Sequence, residues 1–453
     1  MDATDAPVGA NVVGYLDAPL GIGEVARNVS SALTRAGVAV ADVPVASDVG
    51  PPRPDAVAPP EPYPVNVVCI NPDGLPGAEA QLGRAFFADR YTIGYWWWEV
   101  EAFPPRWERG FDLVDEIWTG SRFVADALAP AAPVPVLRMP VPVTPPAASH
   151  DGAGLPGGFK FLTVYDYRSV PARKNPLGAI EAFRRAFGGS GDASLVLKSV
   201  GKEEHPAEHA RVAALAEEVG NVHLVDRQLP PDGVASLVAA CDAYLSVHRA
   251  EGFGLPLATA LYAGKPVIAT GYGGPMDFLT PRNSYCIGYS LTPIGAGNEP
   301  YPADGEWAEP DLEEAAECMR RVVQEPGDAA ERATIGRQDA ERLFSAERAG
   351  AEMGARLARV TLGRSSTRET SSAVADLVRV LETELEPRPG RRAESVRGGL
   401  RRTLYRALRP YTTHRREVDA ELIRTLRALE SRIDGLERSL AALKGMQSRK
   451  PEG

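Results

Sequence analysis

The sequence predicts an α/β protein made of two doubly wound domains and a helical tail. Three observations carry that prediction. Short apolar runs alternate with helical patterns, as a parallel sheet covered by helices requires. The alternation stops in a Pro-, Ala- and Gly-rich stretch at 129–158, a linker with one embedded strand, and then restarts. Beyond residue 363 the composition changes again.

The first domain is expected over 1–150. Asn11 to Leu16 is its first strand, followed by a Gly-containing loop and a helix from about Glu24 to Ala36. Val65 to Ile70, Thr92 to Trp96 and Glu116 to Thr119 read as further strands. The second domain is expected over 151–363, with strands at Lys160–Tyr165, Ser194–Lys198, Val222–Val225, Ala243–Val247 and Pro266–Ala269. A helix over Pro176–Phe187 and a closing helical stretch from about Asp328 to Leu362 complete it. Two such domains bind ligands in a cleft beyond the carboxyl ends of their strands.

The tail divides in two. Residues 364–416 form a basic linker, and 388–416 hold ten Arg against one acidic residue, Glu394. Val396, Leu400, Leu404 and Leu408 recur among those arginines. They suit either an amphipathic helix in peripheral contact with an anionic membrane or a solvated linker. Over 417–446, Leu422, Leu426, Leu429, Ile433, Leu436, Leu440 and Leu443 repeat at alternating spacings of 4 and 3. That seam predicts a coiled coil and a homodimer through 422–443, or else an amphipathic helix packed on the body of its own chain.

Of the 453 residues, 44% are hydrophobic and 24% charged, which places the chain with globular proteins and excludes a disordered one. The net charge of −10 argues against nucleic acid as a partner. The charge is uneven: 364–453 carry 20 basic and 13 acidic residues, so the first 363 carry −17. Cys69, Cys241, Cys286 and Cys318 are scattered without metal-ligand spacing and read as reduced core residues. The N-terminal residues lack the basic and apolar regions of a signal peptide, and no run of about 18 apolar residues occurs. A cytoplasmic protein is expected, with possible attachment to the inner membrane face through the basic stretch. High Ala, Arg and Gly usage points to a GC-rich bacterial source.

The segment Ser246–Thr280 is the most informative. A strand ends near Val247, and Glu251-Gly252-Phe253-Gly254 follows it into a helix that Pro256 helps to open. Backbone N–H groups at such a helix start favour an anion such as a phosphate. A second loop, Gly271-Tyr272-Gly273-Gly274-Pro275, does the same after the next strand. Upstream, YDYRSVPARKNP places Arg168 and Lys174 six residues apart after a strand, with Arg173 between them. By themselves these read as surface cations, able to hold an anion, Arg by bidentate contact and Lys as a point charge. No Asp-x-Asp occurs, so no metal-nucleotide motif is present.

These motifs resemble the donor-site signature of the retaining GT-B glycosyltransferases of the family 4, group 1 type. The resemblance implies two Rossmann-like domains facing a cleft: an N-terminal acceptor domain and a C-terminal donor domain. It also implies a nucleotide-diphosphate sugar as co-substrate, with no cofactor and no metal. Arg168, Lys174 and Glu251 take the catalytic roles. His248, Gly252, Phe253, Gly254, Leu255, Thr259, Gly273 and Gly274 take donor-binding roles. Gly21 and Gly23, in the turn that opens the first helix, join them. Glu24 and Glu99 are candidates on the acceptor side. In the family a second Glu, which binds the nucleotide ribose, stands eight positions after the first. Here that position is Thr259, which puts the ribose contact in doubt.

The residues of Trp96-Trp97-Trp98 cannot all face one way on a strand, so packing is expected for at least one. Asp277 is expected to cap the helix after the second Gly loop. The function implied is transfer of a sugar, with GDP-mannose as the family-frequency guess, to a glycan or lipid-linked acceptor of bacterial polysaccharide or envelope synthesis. The alternative is a non-catalytic nucleotide-sugar-binding scaffold that self-associates through its coiled coil.

Overall fold

The computed structural model describes residues 8–48, 63–88, 90–146, 155–188, 191, 193–229 and 233–362. Two units divide the chain, Met1–Arg368 and Glu369–Gly453. The basic stretch at 388–416 and the heptad seam at 422–443 lie outside the described residues.

The N-terminal domain runs β1 (Gly9–Gly14), α1 (Gly21–Arg35), β2 (Ala39–Pro44), β3 (Val65–Cys69), α2 (Leu75–Leu82), α3 (Arg84–Phe87), β4 (Tyr91–Tyr95), β5 (Glu116–Thr119), α4 (Arg122–Leu128) and β6 (Val136–Arg138). Its six strands lie in the order β2-β1-β3-β4-β5-β6 and pair in parallel throughout. Every residue of β1 and β3 is buried. Such continuous apolar strands follow from a parallel sheet covered on both faces. Helix α1 buries Val25, Ala26, Val29, Ala32 and Leu33 along one stripe. It begins at Gly21, three residues before the expected start, so the Gly-rich turn is its first turn.

The C-terminal domain runs β7 (Phe159–Asp166), α5 (Pro171–Lys174), α6 (Pro176–Phe187), β8 (Ala193–Val200), α7 (Pro206–Val219), β9 (Val222–Val225), α8 (Gly233–Ala240), β10 (Ala243–Ser246), α9 (Leu255–Tyr262), β11 (Val267–Thr270) and β12 (Tyr285–Ile287). These strands form a second parallel sheet in the order β12-β11-β10-β7-β8-β9. The strand order reverses between β7 and β10. That switch point is where open α/β sheets bind ligands.

Three features were not expected from periodicity. A hairpin of β13 (Tyr289–Pro293) and β14 (Glu306–Pro310) stands outside both sheets. Helix α10 (Leu312–Gln324) follows it, N-capped by Asp311, whose carboxylate accepts from the Glu313 and Glu314 N–H groups. The closing helical stretch is two helices, α11 (Pro326–Phe344) and α12 (346–362), parted at Ser345 in extended backbone. Helix α12 crosses back to the N-terminal domain. Gly350 lies so close to α1 that a Cβ would come within 2.0 Å of the Ala32 carbonyl. Arg356 meets the buried Glu116 of β5, its Nε 3.0 Å from Oε1.

The two sheets meet at the carboxyl ends of their strands. Trp97, just after β4, packs on Phe253 with ring centroids 5.9 Å apart. The Ser121 hydroxyl at the start of α4 donates to the Gly252 carbonyl at 2.6 Å. This is the GT-B arrangement: two Rossmann-like sheets facing each other, joined by a terminal helix that returns to the first domain. Among the described residues no helix is long and apolar enough to cross a membrane.

Candidate active site

The loop after β7 is held in an unusual backbone. Val170 (φ 53°) and Asn175 (φ 56°) bracket the short helix α5, and both lie in the left-handed region. For a β-branched residue this is a genuine outlier, of the kind that persists where surroundings over-determine it. The surroundings here are the residues after β10. The buried Asn175 side chain donates to the Val247 carbonyl at 3.1 Å and caps α6 by accepting from the Gly178 N–H. The Arg249 N–H donates to the Arg173 carbonyl at 2.7 Å, and the Arg249 guanidinium to the Ala172 carbonyl at 2.8 Å. The two loops flanking the switch point are thus zipped together.

The product is a compact charge cluster. Lys174 pairs directly with Glu251. Arg173, 3% exposed, donates to the Ala250 carbonyl at 3.0 Å and lies 3.5 Å from the other Glu251 oxygen. Burial pushes the Glu251 carboxyl up, but Lys174 and Arg173 reverse this and hold it down at about 2. Burial also pushes the Lys174 ammonium down, against the pull of Glu251. Arg173 remains firmly charged: burial opposes it, but Tyr301, Glu99 and Glu251 outweigh burial. The site therefore brings two basic side chains, Arg173 and Lys174, onto one carboxylate, Glu251, beside two Gly-rich loops.

Those loops interlock. Gly254 (φ 86°) caps α9 in the left-handed region. The Gly274 N–H donates to the Glu251 carbonyl at 2.8 Å. A Cβ on Gly274 would sit 1.8 Å from the Gly252 carbonyl oxygen, and one on Gly252 would sit 2.5 Å from the Trp98 carbonyl oxygen. Gly273 (φ 79°) faces the Glu251 carbonyl equally closely. Glycine at these positions is a packing requirement as much as a ligand requirement.

Other predicted residues fall in different places. Arg168 does not join Lys174: its guanidinium grips Asp166 through two bonds of 2.9 and 2.8 Å. Arg173, placed only as its neighbour in the sequence reading, takes the position beside Glu251. The cause is the kinked backbone at Val170, which turns α5 toward the 247–251 loop. His248 is fully buried; its Nε2 donates to the Tyr272 carbonyl at 3.1 Å, so Nδ1 accepts from the Ser246 hydroxyl at 3.0 Å. Both nitrogens are occupied and burial lowers its pKa to about 4, so it braces the second Gly loop as a neutral ring. The Phe253 side chain packs among Trp97, Phe278 and Phe344. The Thr259 hydroxyl donates to the Leu255 carbonyl within α9 at 3.0 Å. Leu255 opens α9, while Glu24 stands in the first turn of α1.

Gly21 has open space around it. Gly23 is tight, with a Cβ falling 2.5 Å from the Tyr15 carbonyl oxygen. Trp96 and Trp98 are core residues; they follow β4 rather than lying on it. Asp277 does cap a helix, but in the other domain: its carboxylate accepts from the Arg122 N–H of α4 at 2.7 Å and from Arg138 at 3.3 Å. Glu99 reaches the cluster's neighbourhood and accepts from the Tyr301 hydroxyl at 2.8 Å. Tyr301 was not anticipated; it sits in the loop between β13 and β14, where no local signal marks it. Among the described residues no group of three His, Cys, Asp or Glu is placed to hold a metal ion.

Residues 160–293 match the family model of glycosyl transferases group 1, a span holding β7 to β13 and the whole Arg173–Lys174–Glu251 cluster. Among curated proteins, none matches the chain by sequence. The fold is similar to sucrose-phosphate synthase from Thermosynechococcus elongatus, with a TM-score of 0.59, 16% identity and coverage of 78% of this chain and 99% of that one. It is similar also to HepE of Anabaena, solved in complex with UDP and glucose (TM-score 0.55, 14% identity, 78% and 100% covered). A glycosyltransferase from Rickettsia africae scores 0.55 at 12% identity, with 78% and 99% covered. At these identities the likeness establishes the GT-B fold.

Proposed function

We propose that this protein is a glycosyltransferase of the retaining family 4 type, moving a sugar from a nucleotide-diphosphate sugar to a glycan or lipid-linked acceptor. The observation that carries this reading is the Arg173–Lys174–Glu251 cluster at the switch point, opened by two interlocked Gly loops. In the reaction the bond between the anomeric carbon and the diphosphate oxygen breaks. The acceptor oxygen bonds to the same face of that carbon, and its proton passes to the diphosphate. Lys174 and Arg173 stabilise the charge that develops on the leaving group. Glu251 orients the donor sugar and holds both cations in place until the donor arrives. Two fixed cations do the work that a metal does in other transferases, so the reaction is proposed to proceed without one.

The donor stays open between two candidates. Family frequency favours GDP-mannose, while the similarity to HepE, solved with UDP and glucose, favours UDP-glucose. A screen of UDP-, GDP- and ADP-sugars for nucleotide release in EDTA tests the reading. One donor turned over by the wild type and not by Lys174→Ala supports it. Turnover that collapses in EDTA and returns with a divalent ion refutes metal independence. Binding without turnover, in the presence of lipid and glycan acceptors, favours the scaffold alternative.

A further inference from the structure

The hairpin loop between β13 and β14 belongs by chain to the C-terminal domain, but its side chains are buried in the N-terminal one. Ile294, Tyr301 and Trp307 are each 4–6% exposed and share one core with Trp96, Trp98 and Phe111. The Tyr301 ring lies 5.2 Å from that of Trp98. The hairpin's base is fixed to the loop of the charge cluster. Arg249 grips Glu309 with two bonds of 2.5 and 3.0 Å and lies 5.7 Å from the Trp307 ring. The Ala308 N–H donates to the Arg249 carbonyl at 2.8 Å. The span matching the transferase family ends at residue 293, so Tyr301 lies beyond it.

At the tip of this arm the Tyr301 hydroxyl donates to one carboxylate oxygen of Glu99. The other oxygen of Glu99 takes no hydrogen bond from a described residue. Glu99 and Glu251 are carboxylates whose charge favours the charged form of Arg173, so Glu99 stands within electrostatic reach of the cluster. A carboxylate after β4 would swing freely on its own side chain. The phenol removes that freedom, and the ring is itself locked by burial against Trp98.

We propose that Tyr301 is a positioning residue: it holds Glu99 so that the spare carboxylate oxygen accepts the hydrogen bond of the incoming acceptor hydroxyl. The acceptor side of the site is complete only with the hairpin arm seated in the N-terminal domain. This inference rests on the transferase reading above.

The experiment compares wild type, Tyr301→Phe, Glu99→Gln and the double variant in donor hydrolysis, where water stands in for the acceptor. Nucleotide binding is measured on the same samples by calorimetry, so that turnover is expressed per binding-competent site. Tyr301→Phe keeps the ring on Trp98 and removes only the hydroxyl. Its turnover per site is expected to fall about tenfold with donor Kd unchanged within about twofold. The double variant is expected to be no slower than Glu99→Gln, because the phenol acts only through Glu99. A loss confined to the number of competent sites would show a purely structural role and overturn the inference. So would unchanged turnover in Tyr301→Phe, or losses that multiply in the double variant. A wild type that turns over no nucleotide sugar at all would instead overturn the transferase reading, and this inference with it.

Discussion

The two domains share one architecture and present opposite chemistry at their strand ends. After β7, β10 and β11 the C-terminal domain offers Arg173, Lys174, Glu251 and four tightly packed glycines. After β3 and β4 the N-terminal domain offers Asp73, Glu99 and a tryptophan core. Burial raises the Asp73 carboxyl and the Glu99 charge adds to that, against backbone hydrogen bonds and Arg106. The comparison teaches that a doubly wound sheet specifies where a ligand binds but not what it is. The side chains that the loops turn inward decide the ligand's charge. On the function proposed above, the C-terminal half takes the diphosphate and the N-terminal half the hydroxyl-bearing acceptor.

The largest effect should come from removing the cation nearest the carboxylate. Lys174→Ala is expected to lower donor turnover by about 10²–10³ in steady-state kinetics. Replacing the two arginines sharpens the same contrast. Arg173→Lys should cost at least about tenfold, because a lysine cannot make the bond to the Ala250 carbonyl and still face Glu251. Arg168→Lys, on the Asp166 side of the loop, should cost less than about threefold. The reverse order would return the phosphate role to Arg168.

The glycines offer a second way to break the comparison. Gly274→Ala must push the two loops apart and is expected to lose about 3 kcal/mol of unfolding stability in urea titration. Gly21→Ala, at the N-terminal helix start, meets open space and should change stability by less than about 1 kcal/mol.

The buried histidine gives a pH signature. The folded pKa of His248 is lowered to about 4, against about 6.5 unfolded, so the unfolded chain takes up the proton first. Stability should therefore fall by about 3 kcal/mol as pH drops from about 6.5 to about 4, and His248→Gln should remove this part of the slope. Glu251, held at about 2, adds stability that is present above its unfolded pKa of about 4.3 and is lost as pH falls toward 2. The smallest effect is expected at Thr259. Its hydroxyl is engaged within α9, so Thr259→Val should change donor KM by less than about twofold.

Much of this was legible in the chain. Both sheets, the restart after 129–158 and the Gly loops follow from local pattern. Strand alternation and turn chemistry act over a few residues, so a sequence displays them directly. The cation that completes the cluster was harder to read, because Arg168 and Arg173 differ only in which way the loop carries them. Asp277 was rightly seen as a cap, but its helix belongs to the other domain, 155 residues earlier in the chain. His248 looked like a ligand residue until its two ring nitrogens were accounted for.

By itself the sequence determined the fold class and the two Gly-rich loops that follow β10 and β11. These depend on periodicity and on residue types at short spacing. Only the tertiary structure decided that Lys174 meets Glu251 across 77 residues of chain, with Arg173 beside them, and that Tyr301 meets Glu99 across 202. Such pairings are set by how whole elements pack, and packing selects among side chains that are equivalent in a linear pattern.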